Sequence, residues 1–334
     1  MSTTAREYHL AARPKGLPTE ADFRLVEREL PDPGEGQILV RNDVISVDPY
    51  MRGRMNDVPS YVPPFKLDAA LDGGAVGTVL ASGDPSVPTG AQVLHNGGWR
   101  DFALFPAKYA TVLDPQLAPV EAHLNALGYI GLTAWGGLLE AGEFKAGETV
   151  FVSGAAGAVG SLVGQIAKAR GAARVIGSAG GPAKAEALVS GFGFDAAVDY
   201  KAGNLRKQLA AAAPDGIDVF FDNVGGEHLD AALSVLKLHG RVAMCGAISV
   251  YNATEAPTGP RNLALAIGKR LTLRGFIVSD YAARQEEFQT EMAGWLAEGR
   301  IKTVETYVDG LENTVDAFLA LFSGGNTGKM LIRL

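Results

Sequence analysis

The stretch Ser153-Gly154-Ala155-Ala156-Gly157-Ala158-Val159-Gly160 constrains this chain more than any other, because closely spaced glycines fall where an apolar run gives way to a helical one. Thr149 to Val152 reads as a buried strand, and Leu162, Val163, Ile166 and Ala169 recur behind it at helical spacing. A chain turning sharply from strand into helix leaves the first helical N–H groups unpaired, and the helix dipole adds positive charge there. Glycines let an anion come close to that backbone, so a pyrophosphate fits. The G-x-G-x-x-G pattern is met by Ala155-Ala156-Gly157-Ala158-Val159-Gly160, with alanine in the first glycine slot. Alone, the pattern is a weak signal, since glycine and alanine repeats also occur where a helix packs tightly on a sheet.

The neighbouring sequence decides between these. From Thr149 onward, short apolar runs alternate with helical stretches: Arg174 to Gly177, Ala196 to Tyr200, Ile217 to Asp222, Gly240 to Cys245 and Leu271 to Phe276. Such alternation predicts a doubly wound parallel sheet. Ligands of that fold lie beyond the carboxyl ends of the strands, which singles out Gly154 to Gly160, Ser178 to Lys184, Asn223 to Gly226 and Cys245 to Tyr251.

An NAD-binding chain offers Asp or Glu to the ribose hydroxyls about 20 residues past the glycines. Ala173 to Lys184 contains none; it holds Gly177, Ser178, Gly180 and Gly181, then Lys184. Small residues leave room for a 2′-phosphate and Lys184 can pair with it, which favours NADP. Lys184 is otherwise an ordinary solvated lysine near a helix start.

Composition narrows the remaining classes. A chain of 334 residues, 47% hydrophobic, has room for two domains with substantial cores. A net charge of −7 and the lack of any Arg/Lys stripe argue against nucleic acid as a partner. No apolar run approaches membrane-spanning length, so no membrane partner and a cytoplasmic location are expected. Cys245 is the only cysteine, which rules out intramolecular disulfides and thiolate-rich zinc sites. The five histidines, His9, His95, His123, His228 and His239, show no paired ligand spacing, and no metal site is expected.

Ahead of Gly128 the texture changes. Gln37 to Val47, Gly73 to Leu80 and Gln92 to Asn96 are β-like runs separated by Pro/Gly clusters, which suggests an antiparallel barrel. Past Gly299, Ile301 to Val308, Leu311 to Phe322 and Met330 to Leu334 read as strand, helix, strand and are expected to rejoin that first domain. The domains are therefore expected at residues 1–128 with 300–334, and at 129–299. Two decoys are set aside: Gly324 to Lys329, whose glycines are one residue too close for a nucleotide-triphosphate loop, and the pair Asp215 and Asp218 at a turn into a strand.

With these motifs placed, the whole chain resembles the zinc-independent branch of the medium-chain dehydrogenase/reductase superfamily, in its leukotriene 12-hydroxydehydrogenase, prostaglandin reductase and alkenal double-bond reductase family. The resemblance is carried by Ser46-Val47-Asp48-Pro49-Tyr50-Met51-Arg52, Gly131-Leu132-Thr133-Ala134-Trp135, the glycine turn, Phe221-Asp222-Asn223-Val224-Gly225-Gly226, Cys245-Gly246-Ala247-Ile248-Ser249 with Tyr251, and Asn326-Thr327-Gly328-Lys329. It implies an α/β fold: a Rossmann doubly wound parallel sheet plus a GroES-like β-barrel domain, commonly paired as a homodimer. It also implies that Gly157, Ala158, Val159 and Gly160 hold the pyrophosphate of NADPH, and that Lys184 and Tyr200 serve the adenosine phosphate end. Asn223 contacts the cofactor farther along. Cys245, Gly246, Ala247, Ile248, Ser249 and Tyr251 line the nicotinamide side with Phe276, Ile277 and Val278, and Asn326 reaches in from the tail. Met55 to Asp68 and Trp99 to Phe105 follow no pattern of the family, so the substrate stays open.

The reaction implied is reduction of the carbon–carbon double bond of a small-molecule α,β-unsaturated aldehyde or ketone, with hydride going to the β-carbon and a proton to the α-carbon. Tyr251 is the candidate catalytic residue, polarising the carbonyl or relaying the proton; otherwise it is a loop tyrosine on the crevice wall. Tyr50 is a candidate substrate-binding residue or else a core aromatic. A quinone reductase of the same superfamily and a non-catalytic NADPH-binding protein are the competing readings.

Overall fold

The computed structural model describes residues 3–115 and 118–334, in which the apolar runs form two large sheets and one hairpin. The hairpin pairs β1 (Thr3–Leu10) with β2 (Phe23–Leu30). There follow β3 (Gln37–Ser46), the single-turn α1 (Met51–Arg54), β4 (Ala75–Ser82), β5 (Gln92–His95), β6 (Phe102–Pro106) and β7 (Thr111–Val112). The middle of the chain supplies α2 (Tyr129–Gly136), β8 (Thr149–Val152), α3 (Ala158–Ala169), β9 (Arg174–Ala179), α4 (Pro182–Ser190), β10 (Ala196–Asp199) and α5 (Leu205–Ala212). It continues through β11 (Ile217–Asp222), α6 (Gly226–Val235), β12 (Leu236–Met244), α7 (Leu265–Lys269), β13 (Thr272–Gly275) and α8 (Gln285–Ala297). The tail is β14 (Glu305–Asp309), α9 (Thr314–Ser323) and β15 (Lys329–Arg333).

These elements divide into two units. The first takes the chain up to Leu124 together with Glu305–Asn326 and Met330–Leu334; the second is Asn125–Val304 with Thr327–Lys329. In the first unit a mostly antiparallel sheet runs β14-β15-β3-β4-β5-β7, with β6 also paired to β3. The tail joins it because β15 pairs with β3 from Leu331↔Ser46 to Arg333↔Val44. It also delivers Phe318 on α9 to the core, where the ring lies edge-on to Trp99 at 5.6 Å, and Phe23 stacks on the same indole at 5.8 Å. Each such aromatic, fully buried, stabilises the unit by roughly 1.5–3 kcal/mol.

The second unit is a six-stranded sheet in the order β10-β9-β8-β11-β12-β13, with every recorded pairing parallel. Counted from β8, that is the doubly wound order 3-2-1-4-5-6, whose direction reverses between β8 and β11. Strands covered on both faces should be apolar throughout, and Val150, Phe151, Val152, Val219, Phe220 and Phe221 are all fully buried. Phe151 and Phe220 stack at 4.9 Å between centroids, fixing β8 against β11 where the chain reverses. Among the described residues no helix is long and apolar enough to cross a membrane.

Two elements differ from the sequence reading. β12 begins at Leu236 rather than Gly240, yet its ladder jumps from Ile217↔Leu236 to Val219↔Arg241, with His239 in the left-handed region (φ 62°) inside the bulge. Of Ile301 to Val308 only the part from Glu305 onward is strand. The segment before it is drawn onto α3 instead: the Gln165 amide accepts the Lys302 N–H at 2.8 Å and donates to the Lys302 carbonyl at 3.0 Å.

Candidate active site

At the reversal between β8 and β11 the backbone leaves Val152, turns at Gly154 (φ 60°) and enters α3 through Gly157. The Gly157 N–H donates to the Gly154 carbonyl at 3.0 Å. Gly154 therefore does the work of the first glycine of the motif, one residue ahead of the Ala155 slot, and the left-handed turn explains why it must be glycine. Gly160 is needed for packing: a Cβ there would lie 2.4 Å from the Gly154 carbonyl oxygen and 2.8 Å from the Ala155 Cα. No side chain caps α3, while Gly157, Ala158 and Val159 stay partly exposed. Uncapped N–H groups on a backbone without bulk suit a pyrophosphate. The tail segment Thr327–Lys329 runs beside this turn, and the Gly328 N–H donates to the Ala156 carbonyl at 2.8 Å.

The adenosine end is built from two adjacent strand ends. β9 closes on Gly180 and Gly181, and β10 on Tyr200 and Lys201. A Cβ built on Gly180 would sit 2.6 Å from the Tyr200 Oη and 3.0 Å from the Lys201 Cε, so the missing side chain leaves room for those groups. Burial lowers the Lys184 ammonium below the ordinary lysine value, and the charge of Lys201 lowers it further. Ala173 to Lys184 holds no carboxylate of its own, but the neighbouring strand brings one: Asp199 Oδ1 accepts the N–H groups of Gly181 at 2.8 Å and Lys201 at 3.0 Å. Tyr200 also meets the His228 ring edge-on at 5.2 Å.

Past β11 the turn is organised by one buried carboxylate. Asp222 Oδ1 accepts from Ser153 Oγ at 2.8 Å, Val224 N at 3.0 Å and Gly225 N at 2.9 Å. Ser153 Oγ in turn accepts the Asn223 N–H at 2.9 Å, and Asn223 Nδ2 donates to the Ser153 carbonyl at 2.8 Å. Burial raises the Asp222 carboxyl above its usual range, and the three donors oppose that rise. Ser153 and Asp222 stand far apart in sequence, within or next to family motifs that give neither a role. Their part emerges only when β8 and β11 are seen side by side.

The loop from Cys245 to Tyr251 hangs from the same point, since the Asp222 carbonyl accepts the N–H groups of both Cys245 and Gly246. Burial, then the Asp222 charge, push the Cys245 thiol up to about 12, which makes it a neutral thiol and not a nucleophile. Tyr251 folds back on its own loop: its hydroxyl accepts the Ala247 N–H at 3.3 Å, and a Cβ on Gly246 would lie 3.1 Å from that oxygen. Burial lifts the phenol above its ordinary value, with Cys245 and Asp222 adding to the rise. Ile248 and Ser249 form the short turn between, with Ser249 Oγ donating to the Val224 carbonyl at 2.6 Å. The Phe276 ring packs on Phe221 and Tyr281, each at 5.8 Å, and the Ile277 N–H donates to Asp280 at 3.1 Å. Val278 opens the turn that follows.

Two candidates belong to the first unit. Tyr50 stands at the start of α1, 37% exposed as a residue, but its hydroxyl is desolvated and raised above the ordinary phenol value by burial and by Asp48. The charge of Arg54, whose guanidinium lies 3.9 Å over the Phe65 ring, opposes that rise. Asn326 ends the tail segment that belongs to the first unit, directly before Thr327. Of the decoys, Asp218 holds the Thr149 N–H at 2.8 Å and Lys237 at 2.7 Å, a structural post. Among the described residues no group of three or more His, Cys, Asp or Glu is placed to hold a metal ion.

A doubly wound sheet with a glycine turn at its reversal, carried in one chain with a mostly antiparallel unit, defines a nucleotide-dependent dehydrogenase or reductase. Two family models match: an N-terminal domain of oxidoreductase over residues 6–113, and a zinc-binding dehydrogenase domain over residues 158–298. The chain is 43% identical to an NADPH-dependent curcumin reductase of Escherichia coli, covering 98% of this chain and 96% of that one. It is 40% identical to an NADP(+)-dependent 2-alkenal reductase of Nicotiana tabacum, covering 95% and 94%. The crystal structure of CurA from Vibrio vulnificus in complex with NADPH matches with a TM-score of 0.93 at 42% identity, covering 98% of each chain. The chain belongs to the zinc-independent medium-chain dehydrogenase/reductase family, in the branch of the alkenal and prostaglandin reductases.

Proposed function

We propose that this protein uses NADPH to reduce the carbon–carbon double bond of α,β-unsaturated aldehydes or ketones. The support that carries the reading is that relatives named for curcumin and 2-alkenal reduction match along nearly the whole chain. Bound NADPH would supply the hydride that adds to the β-carbon. The chain's own residues do the rest. The turn at Gly157 and the bare N–H groups of Ala158, Val159 and Gly160 hold the pyrophosphate, and Asn223, immobilised through Ser153 and Asp222, lines the next part of the crevice. Hydride addition builds negative charge on the carbonyl oxygen, which needs a donor that is protonated at neutral pH. Tyr251 meets that need: its phenol is raised above an already high value, and its oxygen accepts from Ala247 N, which leaves the hydroxyl proton to be donated. The enolate then takes a proton at the α-carbon. Tyr50, from the first unit, binds the substrate.

We further infer a homodimer. β13 ends the parallel sheet with one edge unpaired among the described residues, and Leu263, Leu265 and Ile267 close to it in the chain are exposed, Ile267 by 82%. Light scattering on a sizing column should give twice the monomer mass; a monomer at micromolar concentration contradicts this.

The function is tested by assaying NADPH oxidation with short alkenals, aryl enones, prostanoid ketones and quinones in parallel, with identification of products. Saturated carbonyl products from the enals or enones are expected. Preferential quinone turnover would identify a quinone reductase, and tight NADPH binding without turnover of any activated alkene would identify a non-catalytic binding protein.

A further inference from the structure

We propose that Lys201 is a determinant of NADPH over NADH preference, closing with Lys184 on the 2′-phosphate as a two-cation clamp. The inference rests on the NADPH reading above and adds a residue that the family motifs do not supply.

The clamp originates at the end of β10. Asp199 spends Oδ1 on the N–H groups of Gly181 and Lys201, so one carboxylate ties the turn after β10 to the turn after β9. That tie brings the Lys201 side chain over Gly180, with its Cε 3.0 Å from the position a Cβ would take. The ammonium groups of Lys201 and Lys184 are then close enough that the first depresses the second. Lys201 Nζ makes no hydrogen bond or ion pair among the described residues, so its charge is not spent within the chain. Lys168 and Lys237 of the same unit are by contrast paired, with Asp195 at 2.8 Å and Asp218 at 2.7 Å.

A dianion resolves that repulsion, whereas a neutral ribose hydroxyl does not. The same pocket carries the Tyr200 hydroxyl, the uncapped N-terminus of α4 and a glycine whose absent side chain makes the space. A 2′-phosphate offers the needed charge and three acceptor oxygens; NADH offers neither. Lys201 thus discriminates through charge at a point remote from the reacting carbon.

The test measures dissociation constants by titration calorimetry on the full chain with NADPH, NADH, 2′,5′-ADP and 5′-AMP. Wild-type protein is compared with Lys201→Met and Lys201→Arg. Removing one charge-assisted hydrogen bond at an exposed site should weaken NADPH and 2′,5′-ADP about 10- to 100-fold in Lys201→Met. Binding of NADH and 5′-AMP should stay within about twofold, which also reports an intact fold, and Lys201→Arg should keep most of the NADPH affinity. Unchanged NADPH binding in Lys201→Met, or equal loss for NADPH and NADH, overturns the role of Lys201 while leaving the cofactor reading intact. Equal affinity of the wild type for NADPH and NADH overturns both.

Discussion

Replacing Ser153 by alanine removes one oxygen from a site with no exposed surface, and its cost can be worked from the bonds it breaks. Ser153 Oγ donates to Asp222 Oδ1 at 2.8 Å and accepts the Asn223 N–H at 2.9 Å. A hydrogen bond to a buried charged group contributes about 1.5–3 kcal/mol, and a part-buried N–H left without an acceptor costs about 1 kcal/mol more. The void is the size of a hydroxyl, too small to admit a replacing water. The carboxylate keeps its bonds from Val224 and Gly225, so the turn loosens without coming apart. Ser153→Ala should therefore destabilise the protein by about 3 kcal/mol in urea denaturation and weaken NADPH binding by about tenfold through the less ordered Asn223. A double-mutant cycle with Asp222→Asn should return a coupling of about 1–2 kcal/mol. A loss below about 0.5 kcal/mol with unchanged NADPH affinity would refute the view that this serine and carboxylate organise the crevice.

Tyr251→Phe should lower kcat by about 10- to 100-fold while leaving the NADPH dissociation constant nearly unchanged, because the deleted hydroxyl touches only Ala247 within its loop. With the phenol raised above its ordinary value, the wild-type rate should show no ionisation of Tyr251 across the neutral range, and a break near pH 7 that disappears in Tyr251→Phe would contradict this assignment. His228 is buried and held neutral down to about 4, against 6.5 when free. Below pH 6.5 the unfolded chain binds a proton that the folded chain refuses. Stability from this group is thus complete above pH 6.5 and falls away as the pH drops towards 4, by about 1.4 kcal/mol per unit. Between pH 7 and pH 5, His228→Leu should lose about 2 kcal/mol less stability than wild type; parallel losses would contradict the assignment.

Local pattern carried much of this architecture. Ile217 to Asp222 is legible to the residue because Ile217, Val219, Phe220 and Phe221 form an apolar run between turns, interrupted only by Asp218, and the strand is buried on both faces. The start of β12 is not legible, because α6 runs straight into it and the bulge at His239 imitates a strand boundary. Ile301, Thr303 and Val304 carry strand-forming side chains, yet the Lys302 backbone between them is claimed by Gln165, a partner that no local pattern announces. The site divides in the same way. The glycine turn is a continuous motif and stands out, although Gly154 and not the Ala155 position makes its first bend. Asp199 and Lys201 escape a reading along the chain because they meet Gly180 and Gly181 only through the parallel pairing of β9 with β10. The Ser153–Asp222 hub escapes it likewise, since it depends on β8 and β11 lying side by side.

Hydride transfer itself can be followed atom by atom. NADPH carrying deuterium at C4 of the nicotinamide should be incubated with the protein and an α,β-unsaturated ketone, and the product examined by NMR. The expected product is a saturated ketone with deuterium at the β-carbon and solvent-derived hydrogen at the α-carbon. Deuterium on the carbonyl carbon, giving an allylic alcohol, would contradict double-bond reduction.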